Sequence, residues 1–348
     1  MTAKKRARLP RPAQLRKQIQ STAAAILEAD PDPGVRCRLL RDVFQLADEH
    51  PDHRAACQTL EQSEHIQRLI TTQQADGGWG RFHTRDSRTN APVPTTEWAV
   101  ERALALGMSR RRPLLRRAAR HAYDLLTWKA PFPDPAEKNQ RWRLGWRLFT
   151  AAVLARLDPQ NPILDSEQSM WLKIASRTFA SGRYNPTDEM HAHNQLTGTE
   201  MRDSYLVLNG RYQLVLLGSV ADRLPEPTER ALLAWLWQYP YGVGYYQVPL
   251  GLPAPKTPSR MERWLASHEL LMHAFPRWAS QARPVLAWLW QQRQPDGLWD
   301  FGARTAGTAA LPLSESWRRA GRRQVDWTVR ILALIQAALP AARPGETP

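Results

Sequence analysis

The chain has 348 residues, 43% of them hydrophobic and 23% charged, with 15 Trp, a composition that excludes a disordered chain and can fill a large core. Its longest apolar stretches, such as 231–237, are too short to cross a membrane. The net charge of +15 suits an anionic partner (nucleic acid, membrane surface or phosphorylated ligand). Arg scattered along the chain, with runs at 110–112 and 116–117, equally fits a compositional bias of the genome.

In chain order, residues 1–13 read as a basic flexible tail that lacks the apolar core of a secretion signal, so a cytoplasmic location is expected. The 3.6-residue period and its Pro/Gly punctuation then predict helices over 14–29, 35–49, 55–74, 95–107, 113–127, 141–157, 166–180, 196–221, 226–238, 260–274, 282–293 and 325–339, followed by a tail at 341–348. These twelve helices form six pairs, because short breaks such as 106–109 and 224–225 alternate with long ones, and 14–340 reads as one all-α domain. Within 196–221, Asn209-Gly210 taken alone signals a hairpin, while the surrounding pattern favours helix. Cys37 and Cys57 are too few for a disulfide framework or a four-Cys zinc site; they are expected as reduced thiols and no function is assigned to them.

A repeat is visible in the residues themselves. LITTQQADGGWG (69–80) and LWQQRQPDGLWD (289–300) share a helix end, paired Gln, an Asp-Gly turn and a Trp, and each is followed by a loop and a helix, TEWAVERALAL (96–106) or VDWTVRILALI (325–335). Gly supplies the positive φ that ends a helix, and the Trp ring covers that end. A worn third copy, 235–246, keeps Gln238 and its aromatic residues and is followed by 260–270.

Gln74-x-x-Gly77-x-Trp79 and Gln292-x-x-x-x-Gly297-x-Trp299 resemble the QW repeats of squalene and terpene cyclases, whose helical barrel is shared by protein prenyltransferase β subunits. The resemblance implies an α/α toroid of six outer and six inner helices around a cavity that holds an isoprenoid. It does not extend to the family's catalytic motifs. No DxDD acid motif and no DDxxD magnesium motif occurs, and Asp30-Pro-Asp32-Pro reads as a turn and helix start. Neither cysteine lies in a stretch like the zinc site of the prenyltransferases. His268-Glu269 with His273 has the wrong spacing for a zincin, and 188–193 reads as a solvated polar loop. No metal and no cofactor is expected.

The candidate residues lie where inner helices begin. Glu97-Trp98, Glu262-Arg263-Trp264 and Asp326-Trp327 place carboxylates at equivalent positions, either to favour helix dipoles, with Ser259 and Glu262 at capping-box spacing, or to face a ligand. Arg143, Arg147, Arg202, Asp203, Arg263, His268 and Arg330 on inner helices cannot all reach bulk water, so acid–Arg pairs lining a polar cavity are expected. Asp326, Glu97 and Asp203 are the candidate acids. Trp98, Trp146, Trp264 and Trp327 either pack helices or stack on a ligand, and Arg143 and Arg147, on one helix face, suit a phosphate. Two functions fit: a cyclase- or prenyltransferase-like toroid binding an isoprenoid or similar apolar ligand, or a non-catalytic helical-repeat scaffold binding nucleic acid or an acidic protein.

Overall fold

The structure is a computed structural model that describes residues 9–139, 141–200, 206–303 and 312–340. The expected sites Arg202 and Asp203, and most of the two expected tails, lie outside the described residues. Among the described residues every regular element is a helix, as the sequence pattern predicts.

The chain divides into two compact units, one made from its two ends (Met1–Ser63 with Leu250–Pro348) and one from its middle (Glu64–Pro249). The first unit opens with α1 (Pro12–Glu28), α2 (Pro33–Arg38), a π-helical turn (Leu39–Val43) and α3 (Pro51–Glu61). The middle unit holds α4 (Glu64–Thr72), α5 (Thr96–Ala105), α6 (Pro113–Leu126), α7 (Trp142–Leu157), α8 (Asp165–Thr178), α9 (Pro186–Thr197), α10 (Arg211–Gly218) and α11 (Glu226–Gln238). The first unit closes with α12 (Pro258–Ala274), α13 (Trp278–Gln281), α14 (Arg283–Gln291) and α15 (Ala320–Ala337). Proline opens many of these helices, because the first helical position needs no N–H and proline's fixed φ suits it.

Each unit is built on one helix with little solvent-facing surface. In the first unit α15 is buried continuously from Asp326 to Gln336 and packs on α1, α2, the π turn and α12. In the middle unit α7 is buried from Leu148 to Ala155 and packs on α6 and α10, while α8 pairs with α9. A helix apolar around most of its circumference has no face left for water and becomes a core element.

The two Gly-x-Trp turns are the same structure built twice. Trp79 donates its indole N–H to Leu69 O (3.0 Å) and its backbone N–H to Thr96 Oγ1 (2.9 Å). Trp299 does the same to Leu289 O (2.6 Å) and Thr328 Oγ1 (3.0 Å). Asp76 and Asp296 each accept the N–H two residues on at 2.9 Å, and Gly77 and Gly297 take φ of 91° and 86°. This geometry corrects the register read from sequence. The residue in step with Gln74 is Gln294, since both donate backbone N–H to the carbonyl of the residue before the Trp (2.9 Å each). Gln292 is not the equivalent residue, and Arg293 bonds Gly297 O as Gln73 bonds Gly77 O, both at 2.8 Å.

Several expected helices are divided. The 35–49 prediction becomes α2 and the π turn, 55–74 breaks at Gln62-Ser63 into α3 and α4, and 282–293 is matched by α14 alone, with the short α13 lying before it. The largest correction is at 196–221. Helix α9 begins earlier, at Pro186 behind an Asn185 cap, and Gly198 ends it in the left-handed conformation (φ 65°). Helix α10 begins only at Arg211. Asn209-Gly210 is neither helix nor hairpin: Asn209 O accepts Gly244 N–H (2.7 Å), its side chain donates to Gly242 O (2.9 Å), and a Cβ on Gly244 would stand 3.1 Å from Gly210 Cα. Close backbone approach is what these glycines permit. The 188–193 stretch, expected as a solvated loop, therefore lies inside α9 with Glu189 and His193 buried.

Candidate functional site

The site assembles in the middle unit around Glu97, in the first turn of α5 behind a Thr95 cap. The loop that follows Trp79 is held in place before it reaches this carboxylate. Asp134 accepts the backbone N–H groups of Phe82 (2.6 Å), His83 (3.0 Å) and Thr84 (2.7 Å), and Thr96 and Glu97 donate theirs to Arg81 O (2.8 Å) and Phe82 O (3.0 Å). That clamp fixes His83 beside α5. His83 Nδ1 lies 2.7 Å from Glu97 Oε2, and the ring stacks on Phe149 at 4.0 Å. From α10, Tyr212 donates its hydroxyl to Glu97 Oε1 (2.7 Å) and stands 3.2 Å from His83 Nδ1.

The imidazole tautomer follows from these contacts. A carboxylate held below its ordinary pKa range can only accept, so Nδ1 carries the proton and Nε2 presents a lone pair. Among the described residues nothing bonds Nε2. Arg211 pairs with Glu101 and stands 4.0 Å from Glu97, while Arg156 reaches Glu101 at 3.3 Å. Burial alone would raise the Glu97 carboxyl, but the His83 bond, the Arg211 charge and the Tyr212 bond outweigh it, and Glu97 is held below its ordinary range. Tyr212 moves the other way, because burial and the adjacent Glu97 charge keep its phenol protonated. Phe149 (4.7 Å) and the exposed Tyr245 (5.3 Å) bring their rings against Tyr212, so the carboxylate is deep and its aromatic edge meets solvent.

The other sequence candidates are distributed differently. Trp98 is half-buried, and its backbone N–H takes the Thr95 cap bond (3.1 Å). On α7, Trp146 packs between Trp128 and Phe132 (both 5.1 Å). Arg147 is engaged by Glu167 (2.7 Å), while exposed Arg143 lies over the Trp128 ring (5.0 Å). The two arginines thus do not converge on one phosphate position as their spacing predicts.

In the end-built unit, Asp326 accepts the backbone N–H groups of Leu313 (3.1 Å) and Ser314 (3.2 Å). It lies more than a turn inside α15, so its expected equivalence with Glu97 fails: the Trp-turn threonines put Thr96 in step with Thr328. Glu262 is fully buried, 3.9 Å from Arg330, and Arg330 is forked onto Glu269 (2.9 and 2.5 Å), so these three form a largely buried acid–Arg group. The expected Ser259–Glu262 capping box does not form, because α12 already begins at Pro258 without a side-chain cap. Arg263 is exposed. His268 accepts Trp278 Nε1–H (3.3 Å) and donates to Leu250 O (3.1 Å), and Trp264 also donates to Leu250 O (3.0 Å). Trp327 donates to Gly302 O (3.1 Å). These side chains are committed to packing and backbone contacts.

His83, Tyr212, Arg211, Glu101 and Tyr245 were not found from sequence. Glu101 follows Glu97 by one helical turn, a signal within reach. His83 and Tyr212 reach Glu97 across 14 and 115 residues, and no spacing rule joins them.

No protein-family model and no curated protein matches this chain. Among solved structures, it is similar to the apo structure of the type II terpene cyclase MstE from Scytonema, at 16% identity and a TM-score of 0.42, over 94% of this chain and 99% of that chain.

Proposed function

We propose that this chain is a terpenoid cyclase-like α/α toroid that binds an isoprenoid or similar apolar ligand and transfers a proton on it through Glu97 and His83. The observation that carries the reading is the 2.7 Å contact from Glu97 to His83 Nδ1, which leaves Nε2, unbonded among the described residues, as the atom to meet a ligand. A carboxylate that orients one ring nitrogen and stabilises the imidazolium makes the other a general base or acid. Glu97 is then the positioning group and not the acid itself, and Asp326, bound by two backbone N–H groups, anchors its loop. An imidazolium is a much weaker acid than a carboxylic acid, by more than two pKa units. The reacting group it suits is an oxygen function on the apolar ligand, such as a hydroxyl, carbonyl or epoxide, instead of an isolated double bond. Phe149, Tyr212 and Tyr245 supply the apolar and π surface for the hydrocarbon.

The test is mass spectrometry of organic extracts of the purified protein, then incubation with C15–C30 polyprenyl alcohols and epoxides. Bound lipid or a product lost in His83→Ala supports the reading; neither lipid nor product sinks it.

The scaffold alternative has one observation in its favour. Arg110, Arg111, Arg116 and Arg120 line an open cleft of about 610 Å³ with Tyr123, a positive concavity suited to phosphates. Nucleic-acid binding that weakens steeply with salt would support it, and salt-independent or absent binding would argue against it.

A further inference from the structure

The end-built unit contains a second cluster that the proposed chemistry does not use. Cys37 on α2 and His53 and Cys57 on α3 turn their side chains toward one point. Cys37 Sγ is 3.3 Å from Cys57 Sγ and 3.8 Å from His53 Nε2, and Cys57 Sγ is 3.5 Å from the same nitrogen. The local sequence explains the convergence. His53 and Cys57 are four residues apart and therefore share a face of α3, and α2 packs directly on that face. The π-helical turn Leu39–Val43 begins the reversal of the chain between the two helices. All three donors are buried, at 0%, 1% and 8% exposure for Cys37, His53 and Cys57.

We infer that Cys37, His53 and Cys57 form a binding site for a zinc-class divalent cation. Ligands at about 2.3 Å for sulfur and 2.0–2.1 Å for nitrogen on a tetrahedral zinc stand about 3.5–3.8 Å from one another. The three observed separations bracket that range, so a cation needs only sub-ångström adjustment to be coordinated on one tetrahedral face. The histidine is also set in the ligating tautomer. Its Nδ1 lies 3.3 Å from Ala47 O, which can only accept, so Nδ1 holds the proton and the Nε2 lone pair faces the sulfurs. Asp48 Oδ1 stands 3.8 Å from the same Nδ1. A carbonyl or carboxylate behind the ring is the arrangement that orients metal-bound histidines.

Coordination is balanced without redox chemistry. Two thiols release their protons to solvent, two metal–sulfur bonds and one metal–nitrogen bond form, and a dication with two thiolates and a neutral imidazole carries no net charge. That neutrality suits a site with so little water. The fourth position takes a water molecule or an added ligand. Two sulfurs with one nitrogen favour zinc over magnesium or calcium, which prefer oxygen. A disulfide is the competing fate of the same cysteines, but it needs the sulfurs to close from 3.3 Å to about 2.05 Å, needs an oxidant, and leaves the orientation of His53 without purpose.

The full-length chain, stripped of metal under reducing conditions, is titrated with Co²⁺ and then Zn²⁺. The expected result is saturation at about one Co²⁺ per chain, with a thiolate-to-cobalt charge-transfer band and tetrahedral visible bands that Zn²⁺ abolishes. Zn²⁺ is also expected to slow alkylation of both cysteines at least about tenfold in the unmutated protein, a readout that requires no variant to fold. His53→Gln and Cys57→Ser weaken Co²⁺ binding by more than about a hundredfold, whereas His50→Gln, at a half-buried histidine outside the cluster, leaves it unchanged. Cobalt bound without a thiolate band, no saturable binding, or a Cys37–Cys57 disulfide in the freshly purified protein overturns the assignment. The site lies in a different unit from Glu97, so either result leaves the proposed proton transfer to be judged separately.

Discussion

The carboxylates that follow the two Gly-x-Trp turns show how matched scaffolds place unmatched chemistry. The turns agree in nearly every hydrogen bond, from the Trp indole on the helix end to the Trp backbone on a threonine. Beyond them the environments part. Glu97 is met by protonatable side chains, His83 and Tyr212, with Arg211 behind them, while Asp326 is met by backbone N–H groups. A carboxylate bound by backbone amides is a clamp, because those donors cannot give up their protons. A carboxylate bound by an imidazole and a phenol can take part in proton movement. The difference lies in what meets each carboxylate: the segment after Trp79 holds His83 against Glu97 under the Asp134 clamp, and the Leu313–Ser314 backbone meets Asp326.

If the two turns are equivalent in energy as well as geometry, Trp79→Ala and Trp299→Ala should each destabilise their own unit by about 3–5 kcal/mol, the usual cost of emptying a buried Trp site. Urea unfolding followed by hydrogen exchange in each unit measures both. A loss confined to one variant would break the structural parallel. A second large effect belongs to the end-built unit. Arg330→Met leaves Glu262 and Glu269 without their cation, and breaking such a buried pair costs about 3–5 kcal/mol. Glu97→Gln in the middle unit keeps a side chain that can still bond Tyr212 and His83, so it should cost clearly less while removing any His83-dependent activity. Equal destabilisation by the two variants would place Glu97 among structural ion pairs.

Each unit holds a histidine that burial depresses to about 4, His65 in the middle unit and His268 in the end-built one. Burial depresses His268 from 6.5 to about 4, with its Leu250 bond acting against the shift. The unfolded chain then binds a proton that the folded unit refuses. Stability from this residue is complete above about pH 6.5 and falls as pH drops toward 4, by about 3 kcal/mol in all. His268→Gln should remove this residue's share of the slope in unfolding midpoints between pH 4 and 7 and leave the shares of His65, His121 and His193. An unchanged slope would show that the Trp278–His268–Leu250 chain does not control the response. Glu97 contributes over a lower range: its depressed carboxyl adds stability above the ordinary Glu value, lost as pH falls through the folded one.

Sequence periodicity placed α1, α5 to α8, α11 and α12 closely, because each has an apolar stripe along it and all but α7 and α8 have a proline or side-chain cap at the start. It failed where the determinant is tertiary. Asn209-Gly210 is shaped by the Gly242–Gly244 backbone lying against it, information that a local window does not contain. Helix α9 did carry a local signal, Asn185-Pro186 as cap and first residue, which the polar content of 188–193 obscured. The site divided in the same way. Glu97 was found by its place at a helix start, but His83 and Tyr212 are brought to it by the Asp134 clamp and by α10. Likewise His53-x-x-x-Cys57 was readable as one helix face, and only the packing of α2 adds Cys37.

The smallest expected effect sharpens the comparison most finely, since it separates two glycines that share one conformation. Gly77 and Gly297 both have positive φ, so alanine at either costs about 1–2 kcal/mol in backbone strain. The space around them is unequal. A Cβ at 77 would stand 2.4 Å from Arg117 O, a backbone atom fixed within α6, whereas at 297 the nearest atom is an Arg293 guanidinium nitrogen at 2.8 Å, the end of a side chain that can swing away. Gly77→Ala should therefore cost about 1–3 kcal/mol more than Gly297→Ala, as overpacking against fixed atoms does. Equal losses in paired urea titrations would mean that α6 yields at Arg117, and that Gly77 is required only for its φ.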